Sequence, residues 1–181
     1  MAAPPLRLGV SACLLGREVR WDGTHRRHAF VAEELGARFE LVPVCPEVDL
    51  GMGVPREPIR LVGTASAPRL LGERSGEDHT AAMEAFAARR AAEIDALGVC
   101  GFVAKSGSPS CGLRGVPVHP AHGGDPRRDG AGIFARALVR RMPLLAVEEE
   151  AGLAVPALRD AFVERALACA RRRGGTGGDA P

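Results

Sequence analysis

Short apolar runs alternate with helix-length segments along this 181-residue chain, and that alternation restricts it to one class of fold. "LRLGVSA" (6–12), "FELVPV" (39–44), "VCGFVA" (99–104) and "LLAV" (144–147) are too short for helices and too apolar for loops. Such runs read as strands buried on both faces. Residues 24–38 read as a helix with Thr24 as its N-cap. Residues 78–97 repeat Ala, Met, Phe, Ile and Leu near a 3.6-residue period until Gly98 stops them. Residues 131–142 and 156–173 supply two more helices. Strands separated by helices imply parallel pairing through right-handed crossovers. The expected fold class is therefore α/β: a mostly parallel sheet flanked by helices, three-layered and Rossmann-like, with any site at the C-terminal edge of the strands.

The rest of the chain is less regular. "IRLVGTASAPRLLG" (59–72) has the form of a small hairpin, with "GTASAP" as its turn. "CPEVDLGMGVPREP" (45–58) is too punctuated by Gly and Pro for regular structure, and 115–130 reads as an irregular loop. Neither an internal repeat nor a linker is visible. The expectation is one α/β domain over 1–173, with 156–173 open to being a helical appendage, and a disordered tail "GGTGGDAP" over 174–181.

A net charge of +2 gives no field that would draw a nucleic-acid polymer, so none is expected as partner. No apolar run reaches the roughly 18 residues of a membrane span, and "MAAPPLRLGV" lacks the pattern of a secretory leader. Five cysteines, an odd number without a CxxC pair, fit a reducing cytoplasmic setting where thiols stay free. Nothing in the sequence sets the oligomeric state.

Three of the five belong together. Cys13 follows the first strand, Cys45 follows the second, and Cys111 lies in the loop after "VCGFVA". In a parallel sheet the C-terminal strand ends share one edge, so these thiols should meet there. Cys100 lies within a strand and Cys169 on an apolar helix face. Three thiolates suggest a metal or an iron–sulfur cluster with one open position, whereas a structural zinc normally takes four ligands. Spacing alone leaves this reading and that of three inert buried cysteines both open.

"VSACLLGREVRWDG" (10–23), "PVCPEVDLGMGVPREP" (43–58) and "KSGSPSCG" (105–112) resemble the three signature segments of a bacterial family long known only as a domain of unknown function, whose characterised members are thiouracil desulfurases. The likeness runs through most of 7–149. It implies that Cys13, Cys45 and Cys111 hold a [4Fe-4S] cluster with one iron lacking a protein ligand. A small thiolated substrate, 2-thiouracil-like, would bind there through its thiocarbonyl sulfur and be converted hydrolytically to its oxo form, with release of sulfide and no net redox change. Glu47 and Ser106 match positions of acid/base work in that family. Two departures bear on the substrate: Trp21 stands where relatives usually carry Tyr, and "GAGIFA" (130–135) lacks the threonine of the family's "GxGVTA"-like segment.

The residues themselves admit these roles. Glu47, two positions after Cys45, can face the cluster rim as general acid or base. Ser106, Ser108 and Ser110 alternate with Gly and Pro, so the loop can aim hydroxyls and amides at one point: Ser106 as a proton relay, Ser108 and Ser110 toward substrate. The same composition also serves ordinary turns. Lys105, the only lysine beside 23 arginines, suits an ion pair or a counter-charge to the cluster. Trp21 can stack on a flat heterocycle or fill a core, Asp22 can bond turn amides, and Arg56 can bind an anion or pair with Glu57. His119 and His122 lack any zinc-type pattern around them, and Arg171, Arg172 and Arg173 suit a solvated helix end. Two competing readings remain: a non-enzymatic iron–sulfur or zinc sensor or interaction module, and a thiol enzyme with Cys111 as nucleophile.

Overall fold

Eight strands build two four-stranded sheets in the computed structural model, which describes residues 5–174. In chain order they are β1 (Arg7–Ser11), β2 (Glu40–Val44), β3 (Ile59–Gly63), β4 (Pro68–Gly72), β5 (Val99–Ala104), β6 (Val116–His119), β7 (Arg127–Gly130) and β8 (Ala146–Glu149). The first sheet, ordered β2-β1-β5-β8, is entirely parallel. The second, ordered β4-β3-β6-β7, is mixed. Helices α1 (Gly36–Arg38), α2 (Pro46–Asp49), α3 (Thr80–Ala96), α4 (Ile133–Arg141) and α5 (Pro156–Gly174) complete the fold.

Both faces of the parallel sheet are covered, which is why its central strands β1 and β5 are buried along nearly their whole length. On one side Val44, Val99, Phe102 and Ala104 meet α3, α4 and the inner residues of the second sheet, among them Met83, Ile94, Phe134 and Leu61. On the other side Leu8, Val10 and Val103 meet Val31, Leu35 and Phe39, together with Phe162, Val163 and Ala166 of α5. Leu8, Phe102, Phe134 and Phe162 are at most 1% exposed, and burying a side chain of this size contributes about 1.5–3 kcal/mol. The α5 face is thus continuous with the core under β5 and β8.

The register matters most for function. Ser11 lies beside Val44, Val10 beside Val103, and Ala104 beside Glu149. All four strands therefore end at one level, and whatever follows each of them emerges on one edge. β1 leads to β2 on one side, and β5 joins β1 on the other, so the strand order reverses at the β1/β5 boundary. That is where parallel α/β sheets open a crevice.

The α/β class, the parallel sheet and the 59–72 hairpin agree with the sequence reading; several details differ. The 24–38 helix begins only near Phe30, with a π-helical stretch Phe30–Leu35 before α1. Thr24 gives its amide and hydroxyl to Asp22 at 3.1 and 2.6 Å, while the amides of Arg26 and His28 bond the carbonyls of Cys13 and Leu14. That segment is tied to the turn after β1 and is not free to coil. The 115–130 segment is not an irregular loop, since it carries β6 and β7. Val116 and Val118 alternate inward at 1% exposure, a period-two signal hidden by the intervening Pro117. β8 starts two residues later than 144–147, leaving Leu144 at 65% exposure. Gly174 closes α5, and the remainder of the expected tail, 175–181, lies outside the described residues.

Asp78 anchors the start of α3. Its carboxylate accepts the Thr80 hydroxyl and amide, and bonds to Arg69. The Thr80 hydroxyl, then its amide, then Arg69 hold the Asp78 carboxyl down at about 2. Because the folded value lies below the unfolded one, this stabilisation is complete above about pH 4 and disappears as pH falls through about 2. Asp78→Asn should lower Tm at pH 7 and converge with wild type as pH falls toward 2, so that the acid side of its Tm-versus-pH curve is flatter. An unchanged acid limb would contradict the assignment.

Candidate active site

A cavity of about 420 Å³ opens at the crevice edge, and Cys13, Cys45 and Cys111 all line it. Each arrives by a different local device. Cys13 sits in a 3-10 turn, Ala12–Leu15, closed by Gly16 in a left-handed conformation at φ 89°. Cys45 follows β2 and precedes Pro46, the first residue of α2, whose fixed φ suits a helix start. Cys111 hangs in the loop after β5. None of the five cysteines forms a disulfide.

The three thiols share one electrostatic environment. Burial, and then the charge of Cys45, push the Cys13 thiol up to about 11, against the pull of Lys105 and Arg20. Burial also raises Cys45. Cys111 is pushed well above its ordinary value by burial, opposed by a hydrogen bond with Ser11, with Cys45 and Cys13 adding to the rise. Without a bound cation these thiols stay protonated, and metal binding must displace their protons.

The loop carrying Cys111 is fixed from several sides. The Ser108 hydroxyl accepts the amides of Ser110 and Cys111 at 3.2 and 3.1 Å. The free amides at the start of α4 find acceptors in the same loop: Ile133 donates to Pro109 O at 3.2 Å and Ala135 to Ser110 O at 3.1 Å. The "GAGIFA" segment thus braces this loop from behind and does not line the cavity. Gly132 is required there, since an added Cβ would fall 2.3 Å from the Ser110 carbonyl oxygen. Gly132→Ala should cost about 1–3 kcal/mol as an overpacking change. Chemical denaturation would read that loss, and an unchanged midpoint would show that the loop can shift without penalty.

Glu47, in the first turn of α2, is held at both oxygens. Oε2 accepts Arg56 Nη2 at 2.6 Å and Nε at 3.0 Å, while Oε1 accepts the Ser110 hydroxyl at 2.9 Å. Arg56 also donates to Val19 O and Gly53 O, and its side chain is only 6% exposed. The expected Arg56–Glu57 pairing is replaced by Arg56–Glu47, because Glu57 bonds the Ser75 hydroxyl and the Arg74 amide instead. Ser110, expected against substrate, is completely buried with its hydroxyl on Glu47.

Lys105 and Ser106 lie on the cavity wall where β5 ends. The Lys105 amide bonds the Ser11 hydroxyl oxygen at 3.0 Å, tying the ends of β5 and β1 together. Its ammonium donates to Glu150 Oε1 at 2.5 Å and to Ser106 Oγ at 3.0 Å. Lys105 is therefore in an ion pair with Glu150, immediately after β8. Burial pushes the Glu150 carboxyl up, but the bonds from Lys105 and Ser106 outweigh it and hold the group below its ordinary value.

Trp21 stands on the cavity rim, 42% exposed, and is not a core residue. Asp22 bonds its own turn through Thr24. His119 ends β6 away from the cavity and His122 is exposed. Cys100 bonds Arg7 O within the core, and Cys169 is on the buried face of α5. Arg173 pairs with Asp95. Sequence reading missed Ser11 and Glu150. A run of three glutamates directly after an apolar strand was the available signal for the second.

The donor set fits a thiolate-held iron–sulfur cluster. Three unpaired thiols line the cavity, and among the described residues lining it there is no further Cys and no His. Among the described residues no trio of His, Cys, Asp and Glu closes on a point that a single ion could take. Three thiols from separate strand ends, with no fourth Cys and no His beside them among the described residues, are a donor set that suits a thiolate-held cluster.

Comparison with known proteins agrees. The uncharacterized protein YbbK of Bacillus subtilis (strain 168) is 32% identical over 108 residues, covering 57% of this chain and 71% of that protein. A solved structure of the [4Fe-4S]-dependent thiouracil desulfidase TudS (DUF523Vcz) superposes with a TM-score of 0.65 at 31% identity, covering 87% of this chain and 98% of that one. The 2-thiouracil desulfurase family model matches residues 8–150, a span that contains every cavity residue discussed above, and the chain belongs to that family.

Proposed function

We propose that this chain is a [4Fe-4S]-dependent desulfurase that converts a thiolated nucleobase, 2-thiouracil-like, or a related thiocarbonyl to its oxo form and releases sulfide. The observation that carries the reading is the arrival of Cys13, Cys45 and Cys111 at one cavity beside Glu47 and Ser106. Cys13, Cys45 and Cys111 would hold the cluster, which would supply a soft Lewis acid suited to polarising a thiocarbonyl.

The protein groups supply the rest. Glu47 is the acid/base group on the α2 side, its carboxylate aimed by Arg56 and Ser110. Ser106 is the hydroxyl on the β5 side. Ser108 lines the cavity with its oxygen already accepting two amides, so it presents a fixed polar edge to substrate. Ser110 positions Glu47 and does not itself touch substrate. Trp21 covers one face of a flat heterocycle. An oxygen-labile centre and five free thiols fit a reducing cytoplasm. We take 5–174 as one domain with α5 integral to it, because α5 completes the core under β5 and β8.

The test is anaerobic reconstitution followed by incubation with 2-thiouracil, 4-thiouracil and other thiocarbonyls. Oxo product and sulfide in equal amounts are expected. Their absence across the panel with the cluster intact would remove the activity, and stoichiometric zinc without iron would favour a sensor or interaction module.

A further inference from the structure

Glu150 does not line the cavity, yet it controls the two groups that do so at the end of β5. Its Oε2 accepts the Ser106 amide at 2.7 Å, and its Oε1 accepts both the Ser106 hydroxyl at 2.7 Å and the Lys105 ammonium at 2.5 Å. A serine hydroxyl has one proton and two lone pairs. Here the proton points to Glu150, and Lys105 Nζ, 3.0 Å away, fills one lone pair. The remaining lone pair belongs to an oxygen on the cavity wall. Ser106 is thereby set as an acceptor toward the cavity, with a carboxylate behind it.

We propose that Glu150 is a positioning residue of the desulfuration reaction, fixing the Ser106 hydroxyl as a proton acceptor and taking up the proton that Ser106 passes on. The inference rests on the desulfurase reading above. As water attacks the thiocarbonyl carbon, one water O–H bond breaks and its proton goes to Ser106 Oγ. Ser106 in turn passes its own proton to Glu150 Oε1. The oxygen lone pair forms the C–O bond, and the C=S π pair moves onto sulfur. As the C–S bond breaks, the stored proton returns through Ser106 to sulfur. The second proton, shed by the new hydroxyl as the carbonyl closes, reaches sulfur through Glu47. Thiocarbonyl and water become carbonyl and hydrogen sulfide, with no electron gained or lost. Lys105 keeps the Glu150 charge balanced between turnovers. Two neighbouring glutamates hold the far end of the same loop: Glu149 accepts the Leu113 amide at 2.8 Å, and Glu148 pairs with Arg114.

The experiment compares holoenzymes of wild type, Glu150→Gln, Glu150→Asp, Ser106→Ala and the Ser106→Ala/Glu150→Gln double variant. Iron and sulfide content are measured in each. For Glu150→Gln the expected result is wild-type cluster content, kcat lower by about 10²-fold or more and KM little changed. The acid limb of its kcat/KM profile should also move, which a merely structural residue would not cause. Glu150→Asp, which keeps the charge, should recover part of kcat. The double variant should be no slower than Ser106→Ala, because Glu150 acts through that hydroxyl. In the metal-free protein the Ser106 amide should exchange with solvent faster in Glu150→Gln. Wild-type kcat in Glu150→Gln, or additive losses in the double variant, overturns the inference alone. A wild type that converts no thiocarbonyl overturns the functional reading and this inference with it. If Glu150→Gln does not fold, Glu150→Asp with wild-type kcat and an unmoved acid limb overturns the inference instead.

Discussion

Replacing any one of Cys13, Cys45 or Cys111 with Ser should lower iron and sulfide content to background and abolish desulfuration, while Cys169→Ser leaves both near wild type. The four thiols are all buried or nearly so, and burial alone does not separate them. Position does. Three line the cavity after the ends of parallel strands, and the fourth is on the buried face of α5, in the same core cluster as Phe162, Val163 and Leu8. Serine is close in size to cysteine, so each variant should fold with a stability change of about 1 kcal/mol. The readouts are anaerobic iron and sulfide analysis and the visible spectrum of the reconstituted protein. Equal loss in all four variants would show that the assignment rests on general fragility and not on ligation. The third reading, Cys111 as a lone nucleophile, makes the opposite forecast, since Cys13→Ser and Cys45→Ser would then retain activity.

The second large effect belongs to Arg56. Its guanidinium and the Glu47 carboxylate are 6% and 14% exposed and joined at 2.6 Å. Removing one member of such a pair leaves the other charge buried without its counter-ion, a loss of about 3–5 kcal/mol. Arg56→Met should therefore lower Tm by about 10 °C for a chain of this length. Glu47→Gln/Arg56→Met should recover part of that loss, because both charges are then gone. Catalysis should follow a different pattern. Glu47→Gln keeps the cluster and loses about 10²–10⁴-fold in turnover. Arg56→Met also loses turnover, because Glu47 is no longer aimed. A drop of less than about 1 kcal/mol in Arg56→Met would place the pair among ordinary surface ion pairs.

Much of the site was legible in the sequence because parallel sheets obey a simple rule. Residues that follow apolar runs gather at one edge, and this brought Cys13, Cys45 and Cys111 into one group, while Glu47 and Ser106 were singled out by the resemblance to the family's signature segments. The rule does not say which side chains bond one another. Ser110 and Ser108 look alike in "SGSPSCG", yet one turns inward to Glu47 and the other ties the turn. Only the docking of α4 against the loop decides between them. Arg56 lies next to Glu57 in sequence, but Glu57 is taken by Ser75, eighteen residues away in the turn after β4. The second sheet was half visible. The 59–72 hairpin announced itself, whereas β6 and β7 are four residues each, with Pro in one and exposed arginines in the other. β8 was displaced by two residues because the apolar letters of "LLAV" outweighed pairing with β5, which selects Ala146–Glu149.

The segment bearing Cys111 is gripped at its start by Glu150, at its end by Glu149, and along its middle by the first turn of α4. Nothing in that grip passes through the inorganic centre. Oxidative damage can therefore strip the iron and leave a shaped, vacant socket in place of a collapsed polypeptide. The chain on its own therefore holds the loop in shape, and protein stripped of iron should take up a cluster again without refolding.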